Sequence, residues 1–306
     1  MKNINKITLA LSVLLVGLVL ASCASTSEEK NDDKWETYVE NKKIVIGFDN
    51  TFVPMGFKNE EGENVGFDID LANAVFAEYG IEVEWKPITW SMKEAELENG
   101  TIDLIWNGYS VTDERKQKVL FSDIYMETEE VLIVKKDSTI TKLSDMADKV
   151  LGAQAASSGY EAFESHPEVL KDIVKDNDAV QYSTFTQAFI DLENDRIDAL
   201  LVDKVYANYY LAEKNETDNY RILSAALESG DFAVGARKSD VTLINKINEA
   251  FKKLYQEGTF QEISQKWFNE DTASPAVKGE EKSEQHSIES SFIILEVTLV
   301  HSRLDS

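Results

Sequence analysis

The stretch "TIDLIWNGYSVTDER", residues 101–115, carries both a structural and a chemical signal. Its first part is a short apolar run, which predicts a buried strand. A glycine, two hydroxyls and one guanidinium follow that run: Gly108, Ser110, Thr112 and Arg115. A guanidinium presents parallel N–H donors that fit a carboxylate, and it keeps its charge at physiological pH. We therefore interpret the exit of this strand as a site for a small carboxylate.

Strands and helices alternate on both sides of this stretch. Apolar runs predict strands in "KKIVIGFD" (42–49), "IEVEWKPI" (81–88), "DKVLGAQ" (148–154) and "IDALLVD" (197–203). Amphipathic runs predict helices in "DIDLANAVFAEYG" (68–80), "FTQAFIDLENDR" (185–196), "KVYANYYLAEKN" (204–215) and "LINKINEAFKKLYQEG" (243–258). This alternation predicts an α/β fold with mainly parallel sheets. Ligands bind such sheets at the carboxyl ends of strands, where Asp49, Gly108 and Asp203 fall.

Both ends of the chain differ from this pattern. Residues 1–22 combine Lys2 and Lys6 with the apolar run "ITLALSVLLVGLVLAS", and Cys23, the only cysteine, follows directly. This predicts a signal peptide and a lipid on Cys23, such as palmitate, with an uncleaved N-terminal anchor as the alternative. Residues 23–39 are expected to be a flexible, lipidated stalk. Residues 272–306 resemble a linker with a late apolar run, and we expect them to be disordered or non-native.

The composition excludes several function classes. The formal net charge is −25, and nucleic-acid binding depends largely on lysine and arginine. Only three histidines accompany the single cysteine, so no zinc cluster and no Ser/His/Asp set is expected inside the fold. No nucleotide-binding or calcium-loop motif is present. We therefore expect a binding protein without cofactor, metal or nucleic-acid partner, rather than an enzyme.

Four segments in order make the chain similar to a known family. They are "GFDNTFVPMGF" (47–57), "VGFDIDLANAV" (65–75), "TWSMKEAELENGTIDLIWNGYSVTDERKQKVLFSDIY" (89–125) and "RIDALLVDKVYANYYL" (196–211). With these, residues from about 40 to 270 resemble the polar amino acid solute-binding proteins of ABC importers. The resemblance implies two α/β lobes joined by two hinge strands, with the ligand cleft between them. Lobe 1 would comprise residues 40–126 and 231–271, and lobe 2 residues 127–230.

The resemblance also implies a subsite for the ligand's α-carboxylate. Arg115 would bind the carboxylate through its guanidinium, and Gly108 and Ser110 would offer backbone atoms and a hydroxyl. Ser157 and Ser158 stand on the loop before a lobe 2 helix, where the family usually has threonine or glycine. Amides at a helix N-terminus suit an anion, so this departure leaves the subsite intact.

Further roles follow from the same resemblance. Asp203 would take the α-ammonium, although a carboxylate there could equally cap the next helix. Phe52 and Trp90 would form aromatic walls around the ligand side chain, or else belong to the core. Gln154 would reach the side chain, and the family usually has an aromatic or aliphatic residue where Met55 stands.

By the same resemblance, Asp49 matches a position that faces the ligand side chain in relatives that bind cationic amino acids. An anionic Asp49 between aromatic faces favours a cationic amino acid, with arginine or lysine as first choice. Relatives with neutral ligands also carry this aspartate, so glutamine and cystine remain alternatives. Asn107 and its neighbour Trp106 replace the small residues often found there.

The implied mechanism is hinge closure around a free amino acid, followed by delivery to a membrane permease and its ATPase. The protein would act as a monomer outside the cytoplasmic membrane, held there by its lipid. Two alternatives stay open: a cyclic-acid dehydratase on the same fold, or a sensor that presents its ligand to a receptor.

Overall fold

Two five-stranded sheets form the framework, and five of their ten strands lie in the apolar runs that predict strands from the sequence. The computed structural model describes residues 33–228 and 230–280; the predicted signal peptide, Cys23 and the late apolar run lie outside these residues. The sheet of lobe 1 has the order β5-β1-β6-β13-β7. Its strands are β1 Lys43–Phe48, β5 Glu82–Pro87, β6 Leu104–Ile105, β7 Leu120–Phe121 and β13 Gly235–Ala236.

The sheet of lobe 2 has the order β10-β9-β11-β8-β12. Its strands are β8 Glu130–Lys135, β9 Leu151–Gln154, β10 Ala179–Tyr182, β11 Ala199–Asp203 and β12 Tyr220–Ser224. A small antiparallel sheet in lobe 1 joins β2 Thr51–Phe52, β3 Gly56–Lys58 and β4 Asn64–Val65. Its strands β3 and β4 form a hairpin around Glu61 and Gly62.

Ten α-helices connect these strands within the described residues. In chain order they are α1 Trp35–Asn41, α2 Phe67–Ala77, α3 Lys93–Glu98, α4 Asp113–Lys118, α5 Ser158–Ser165, α6 Phe185–Glu193, α7 Lys204–Glu213, α8 Val241–Glu257, α9 Thr259–Phe268 and α10 Pro275–Lys278. Short 3₁₀ turns occupy Trp90–Met92, Leu143–Met146, Lys175–Asn177 and Thr217–Asn219. No helix in this part of the chain is long and apolar enough to cross a bilayer.

The helices bury the faces that their sequence periodicity indicates. Leu71, Val75 and Phe76 of α2 are fully buried, as predicted from their spacing. Burying one such side chain stabilises the fold by about 1.5–3 kcal/mol relative to leaving it in water. Helices α8 and α9 pack on α2 and complete the core of lobe 1.

The prediction of mainly parallel sheets is wrong, because both sheets are mixed. In lobe 1, β1 is parallel to β5 and β6, whereas β13 is antiparallel to β6 and β7. In lobe 2, β9 is parallel to β10 and β11, whereas β8 is antiparallel to β11 and β12. The antiparallel strands β8 and β13 are those that enter a sheet after the chain has crossed between lobes.

The chain crosses between the two lobes twice. The first crossing runs from β7 to β8 and the second from β12 to β13. The crossings are hydrogen-bonded to each other: Phe232 N–H donates to the Met126 carbonyl at 2.9 Å, and Thr128 N–H to Asp231 Oδ1 at 3.1 Å. These bonds hold the two connections side by side.

Two segments outside the predicted lobes are ordered, which corrects the expectation at both ends. Helix α1 includes residues 35–39, which were expected in the stalk, and it buries Trp35 and Tyr38. At the other end, the hydroxyl of Ser274 donates to the Ile124 carbonyl, and Val277 is buried. Hydrophobic burial at both places attaches these segments to lobe 1.

Gly66 is the point at which the hairpin sheet turns into α2. Its φ is +145°, and an added Cβ would lie 2.4 Å from the Met55 carbonyl oxygen. We expect Gly66→Ala to lower the free energy of unfolding by at least about 2 kcal/mol, since backbone strain and a clash add. The control is Gly80→Ala, with φ +65° and open space around the added Cβ, which should cost about 1 kcal/mol. Equal denaturation midpoints and slopes for the two variants would contradict this interpretation.

Candidate functional site

A cavity lies between the lobes, at the carboxyl ends of parallel strands from both sheets. It holds about 270 Å³ of space not filled by atoms. The lining residues are Asp49, Phe52, Trp90, Asn107, Gly108, Arg115, Gln154, Ser157, Ser158, Phe185 and Asp203.

Ten of the eleven ligand-binding residues expected from the sequence line this cavity. The eleventh, Ser110, is buried beside the wall and donates its hydroxyl to Ser158 of the other lobe at 3.0 Å. Phe185 was missed, because an aromatic residue at the start of an amphipathic helix is indistinguishable from a core residue in sequence. Met55 is fully buried and is not part of the lining.

Arg115 lines the cavity and bridges the two lobes. Its Nε and one terminal nitrogen donate to Glu161 Oε1 of lobe 2 at 3.1 and 2.9 Å, and the same nitrogen donates to the Ala156 carbonyl at 3.1 Å. The other terminal nitrogen donates to the Ser110 carbonyl at 3.1 Å. Four of its five N–H donors are therefore in use. The bidentate fork expected for a carboxylate ligand is occupied here by Glu161 and a carbonyl.

A second cation, Lys93, stands beside Arg115 and was not expected from the sequence. Its ammonium is buried, donates to the Ala156 carbonyl at 3.0 Å and lies 3.3 Å from Glu94 Oε1. Burial and the charge of Arg115 lower the pKa of Lys93 to about 8. An anion bound beside Arg115 would offset the repulsion between the two cations.

The carboxylate of Asp203 lies at the end of β11 and is buried. Its Oδ1 has no hydrogen-bond partner among the described residues. Although Asp203 occupies the N-cap position of α7, its side chain makes no capping hydrogen bond, so the capping alternative is not what the structure shows. Burial, and then the negative charge of Glu130, raise the pKa of Asp203 well above its usual value. A cationic partner would relieve both effects.

Asp49, Gln154 and Asn107 form a polar patch at a different part of the wall. Asp49 Oδ2 accepts from Gln154 Nε2 of the other lobe at 2.7 Å, and Oδ1 accepts from Thr51 N–H and Oγ1 at 2.9 and 2.7 Å. Asn107 Oδ1 accepts the Asp49 N–H at 3.0 Å. Burial raises the pKa of Asp49 despite these donors. The patch can accept hydrogen bonds from a polar ligand side chain.

Aromatic rings make up the apolar walls. Phe52 of lobe 1 stacks on Tyr206 of lobe 2 with ring centroids 5.8 Å apart, and it lies 5.7 Å from Phe185. Trp90 packs edge-on against Tyr109 at 5.9 Å. Part of the aromatic surface is therefore already used to join the lobes.

Gly108 has fewer backbone groups available to a ligand than the resemblance implies. Its N–H donates to the buried carboxylate of Asp68 at 2.7 Å, so the carbonyl is the backbone group left for a ligand. The Tyr125 hydroxyl donates to the same Asp68 oxygen at 3.0 Å. Asp68 thus fixes the backbone at the exit of β6. The sequence signal is an acidic residue at a position whose neighbours are apolar, in "GFDID".

No group of three or more His, Cys, Asp or Glu side chains that could hold a metal ion occurs in residues 33–228 and 230–280. The site has buried charges of both signs, hydrogen-bonding groups and apolar walls. This arrangement suits recognition of a small zwitterion.

Comparison with known proteins gives consistent matches. The family model "Bacterial extracellular solute-binding proteins, family 3" matches residues 44–270. An ABC transporter glutamine-binding protein of Bacillus subtilis (strain 168) is 31% identical and covers 87% of this chain and 98% of its own. The arginine-binding extracellular protein of the same organism is 29% identical and covers 86% and 98%.

A solved structure is more similar in sequence. It is an ABC uptake transporter substrate-binding protein from Streptococcus pneumoniae with bound histidine, 60% identical to this chain. The alignment has a TM-score of 0.79 and covers 80% of this chain and 100% of that one. The names of these relatives describe transport binding proteins rather than enzymes.

The ion pair between Arg115 and Glu161 should hold the lobes together even without a ligand. We expect Glu161→Gln to shift the ligand-free protein towards open forms, because a half-buried pair contributes about 1 kcal/mol, or about fivefold in the ratio of closed to open. The measurement is the distance distribution between one label on each lobe. Glu164→Gln is the matched control, since Glu164 lies on the same helix and pairs with Lys171 within lobe 2. Identical distributions for the two variants would show that the pair does not control closure.

Proposed function

Because the chain belongs to family 3 of the bacterial extracellular solute-binding proteins, we propose that it captures free L-histidine for an ABC importer, with arginine or lysine as the second choice. At the coarser level the chain is an amino-acid ABC transporter substrate-binding protein with an extracytoplasmic location. The observation that carries the proposal is the buried, unpartnered Asp203 Oδ1 in the wall of a cavity that Arg115 also lines.

The acidic and basic residues in the cavity wall match the two charges of an amino acid. Asp203 would accept hydrogen bonds from the α-ammonium, and the carbonyl of Gly108 would take a further one. The α-carboxylate would bind near Arg115, with the Ser158 backbone amide at the start of α5 as an additional donor, since the Ser157 amide already donates to the Gln154 carbonyl at 3.2 Å. Because Glu161 occupies most of the Arg115 donors, the carboxylate would use the remaining N–H or displace Glu161.

The side chain of the ligand would extend to the patch of Asp49, Gln154 and Asn107. An imidazole is flat, fits between aromatic faces, and carries an N–H that can donate to Asp49. The 60% identical protein with bound histidine supports this choice, whereas the relatives named for glutamine and arginine are half as similar. The Asp49 carboxylate equally suits a guanidinium or an ammonium, which keeps the cationic ligands expected from the sequence as the alternative.

Transport would follow from closure of the lobes around the ligand. The zwitterion would bridge Asp203 on lobe 2 and Arg115 on lobe 1. These contacts would exist only in the closed form, so the ligand would shift the population of the protein towards the closed form. A permease with its ATPase would then recognise the closed protein. We further propose a lipid on Cys23 and a monomeric state; Cys23 lies outside the described residues.

The ligand class can be tested by a thermal-shift screen of the twenty amino acids, with cystine and ornithine added. A ligand that binds only the folded protein raises the unfolding midpoint, and at a hundredfold excess over Kd the stabilisation is about 2.7 kcal/mol. We expect L-histidine to give the largest shift. The same shift from arginine or lysine would favour the cationic alternative, and no shift from any amino acid would contradict the proposed function.

Asp49→Asn tests the side-chain subsite in the same screen. It keeps the oxygen that accepts from Thr51 and removes the negative charge, so we expect at least tenfold weaker binding of L-histidine or L-arginine in calorimetric titrations. The binding of an amino acid with an uncharged side chain should change less. Unchanged affinity for the preferred ligand would place its side chain elsewhere.

A further inference from the structure

Glu130 lies beside Asp203 in the sheet of lobe 2, behind the cavity wall. The two residues are directly paired in the antiparallel ladder between β8 and β11. Directly paired residues of antiparallel strands project to the same face, with Cβ atoms about 4.5–5.5 Å apart. Glu130 is 2% exposed and Asp203 is 4% exposed. Two acidic groups therefore share one desolvated space next to the cavity.

Ser158 connects Glu130 to the cavity. Its hydroxyl donates to Glu130 Oε1 at 3.1 Å and accepts from Ser110 of lobe 1 at 3.0 Å. The next residue is Gly159, where an added Cβ would lie 2.7 Å from Glu130 Oε2. The start of α5 thus packs closely against the Glu130 carboxyl group, which restricts the position of this side chain.

Two carboxyl groups that share a buried site do not both ionise, because their repulsion is not screened by water. Both belong to the sheet of lobe 2, so a movement of lobe 1 leaves the pair together. The charged groups that act on Asp203 are Glu130 on the neighbouring strand and Arg115 of lobe 1. Arg115 is itself paired with Glu161, which reduces its effect on the two carboxyls.

We propose that Glu130 is a positioning residue of the ammonium subsite: it shares one proton with Asp203 in the empty site, and the pair releases this proton to solvent when an α-ammonium binds. The ammonium brings one positive charge and the carboxylic acid loses one proton, so the net charge of the subsite stays the same. Both carboxylates are then paired with one cation. This inference rests on the proposed binding of an amino acid.

Proton release fixes the direction of the pH dependence. Burial and the charge of Glu130 raise the pKa of Asp203, so the empty site keeps its proton to higher pH than the occupied site. Affinity for the ammonium therefore increases as the pH rises towards the pKa of the empty pair, by at most about tenfold per pH unit. Replacing Glu130 by glutamine removes one titrating group while keeping an oxygen to accept from Ser158.

The experiment is a calorimetric titration with L-histidine, and in parallel with L-arginine, near neutral pH in buffers of different ionisation enthalpy. The slope of the binding enthalpy against the ionisation enthalpy gives the number of protons released. Wild-type protein is compared with Glu130→Gln and with Glu129→Gln. Glu129 is the matched control, because it is the adjacent residue, is exposed, and pairs with Lys204. Protons exchanged by the ligand itself are common to all three proteins and cancel in the difference.

We expect wild type and Glu129→Gln to release about one proton more than Glu130→Gln. Equal proton counts for wild type and Glu130→Gln would overturn the inference and leave amino-acid binding intact. If Glu130→Gln does not fold, the wild-type titration decides alone: an enthalpy independent of the buffer, for an arginine ligand that does not titrate near pH 7, overturns the inference. Absence of binding by either amino acid would instead count against the proposed function.

Discussion

Asp203 is a buried carboxylate with an unpartnered oxygen, and the organisation of the site depends on that constraint. An uncompensated buried charge costs several kcal/mol, so the closed arrangement needs a cation at this place. Arg115 in the cavity wall and Lys93 behind it create the opposite requirement, because both cations lie over the Tyr109 ring. A free amino acid satisfies both requirements in one molecule, which explains why a cavity this small carries so many buried charges.

The same charges also connect the lobes directly. The Ala156 carbonyl and Glu161 of lobe 2 accept hydrogen bonds from Lys93 and Arg115 of lobe 1. Asp49 and Gln154 form a second bond across the cleft, and Phe52 packs on Tyr206 as a third contact. The lobes therefore compete with the ligand for some donors and acceptors. Affinity is the difference between the contacts that the ligand gains and the contacts between lobes that it replaces.

Much of the site could be predicted from the sequence because its residues follow strands. Asp49, Gly108 and Asp203 each stand just after a recognisable apolar run, and the carboxyl ends of such strands meet at a cleft. The order of the family motifs along the chain then predicted the aromatic walls and the loop before α5. Phe185 was not predicted, because only the tertiary structure distinguishes a residue of the cavity wall from a core residue at the start of a helix.

Other features could not be predicted because they depend on register or on distant contacts. The pairing of Glu130 with Asp203 requires β8 to run antiparallel to β11, whereas alternating strands and helices predict parallel neighbours. The strand β13 has two residues and no detectable periodicity. Asp68 reaches Gly108 from 40 positions away along the chain. Lys93 lies in a polar helix, where sequence alone indicates a solvated side chain.

The most direct test of the account is whether both ends of the zwitterion are required. Calorimetric titrations would compare the preferred amino acid with its N-acetyl derivative, which lacks the α-ammonium, and with its amide, which lacks the α-carboxylate. We expect each derivative to bind at least about a hundredfold more weakly, since each leaves one buried charged group of the site unpaired. Affinity of either derivative close to that of the free amino acid would contradict recognition by Asp203 at one end and Arg115 at the other.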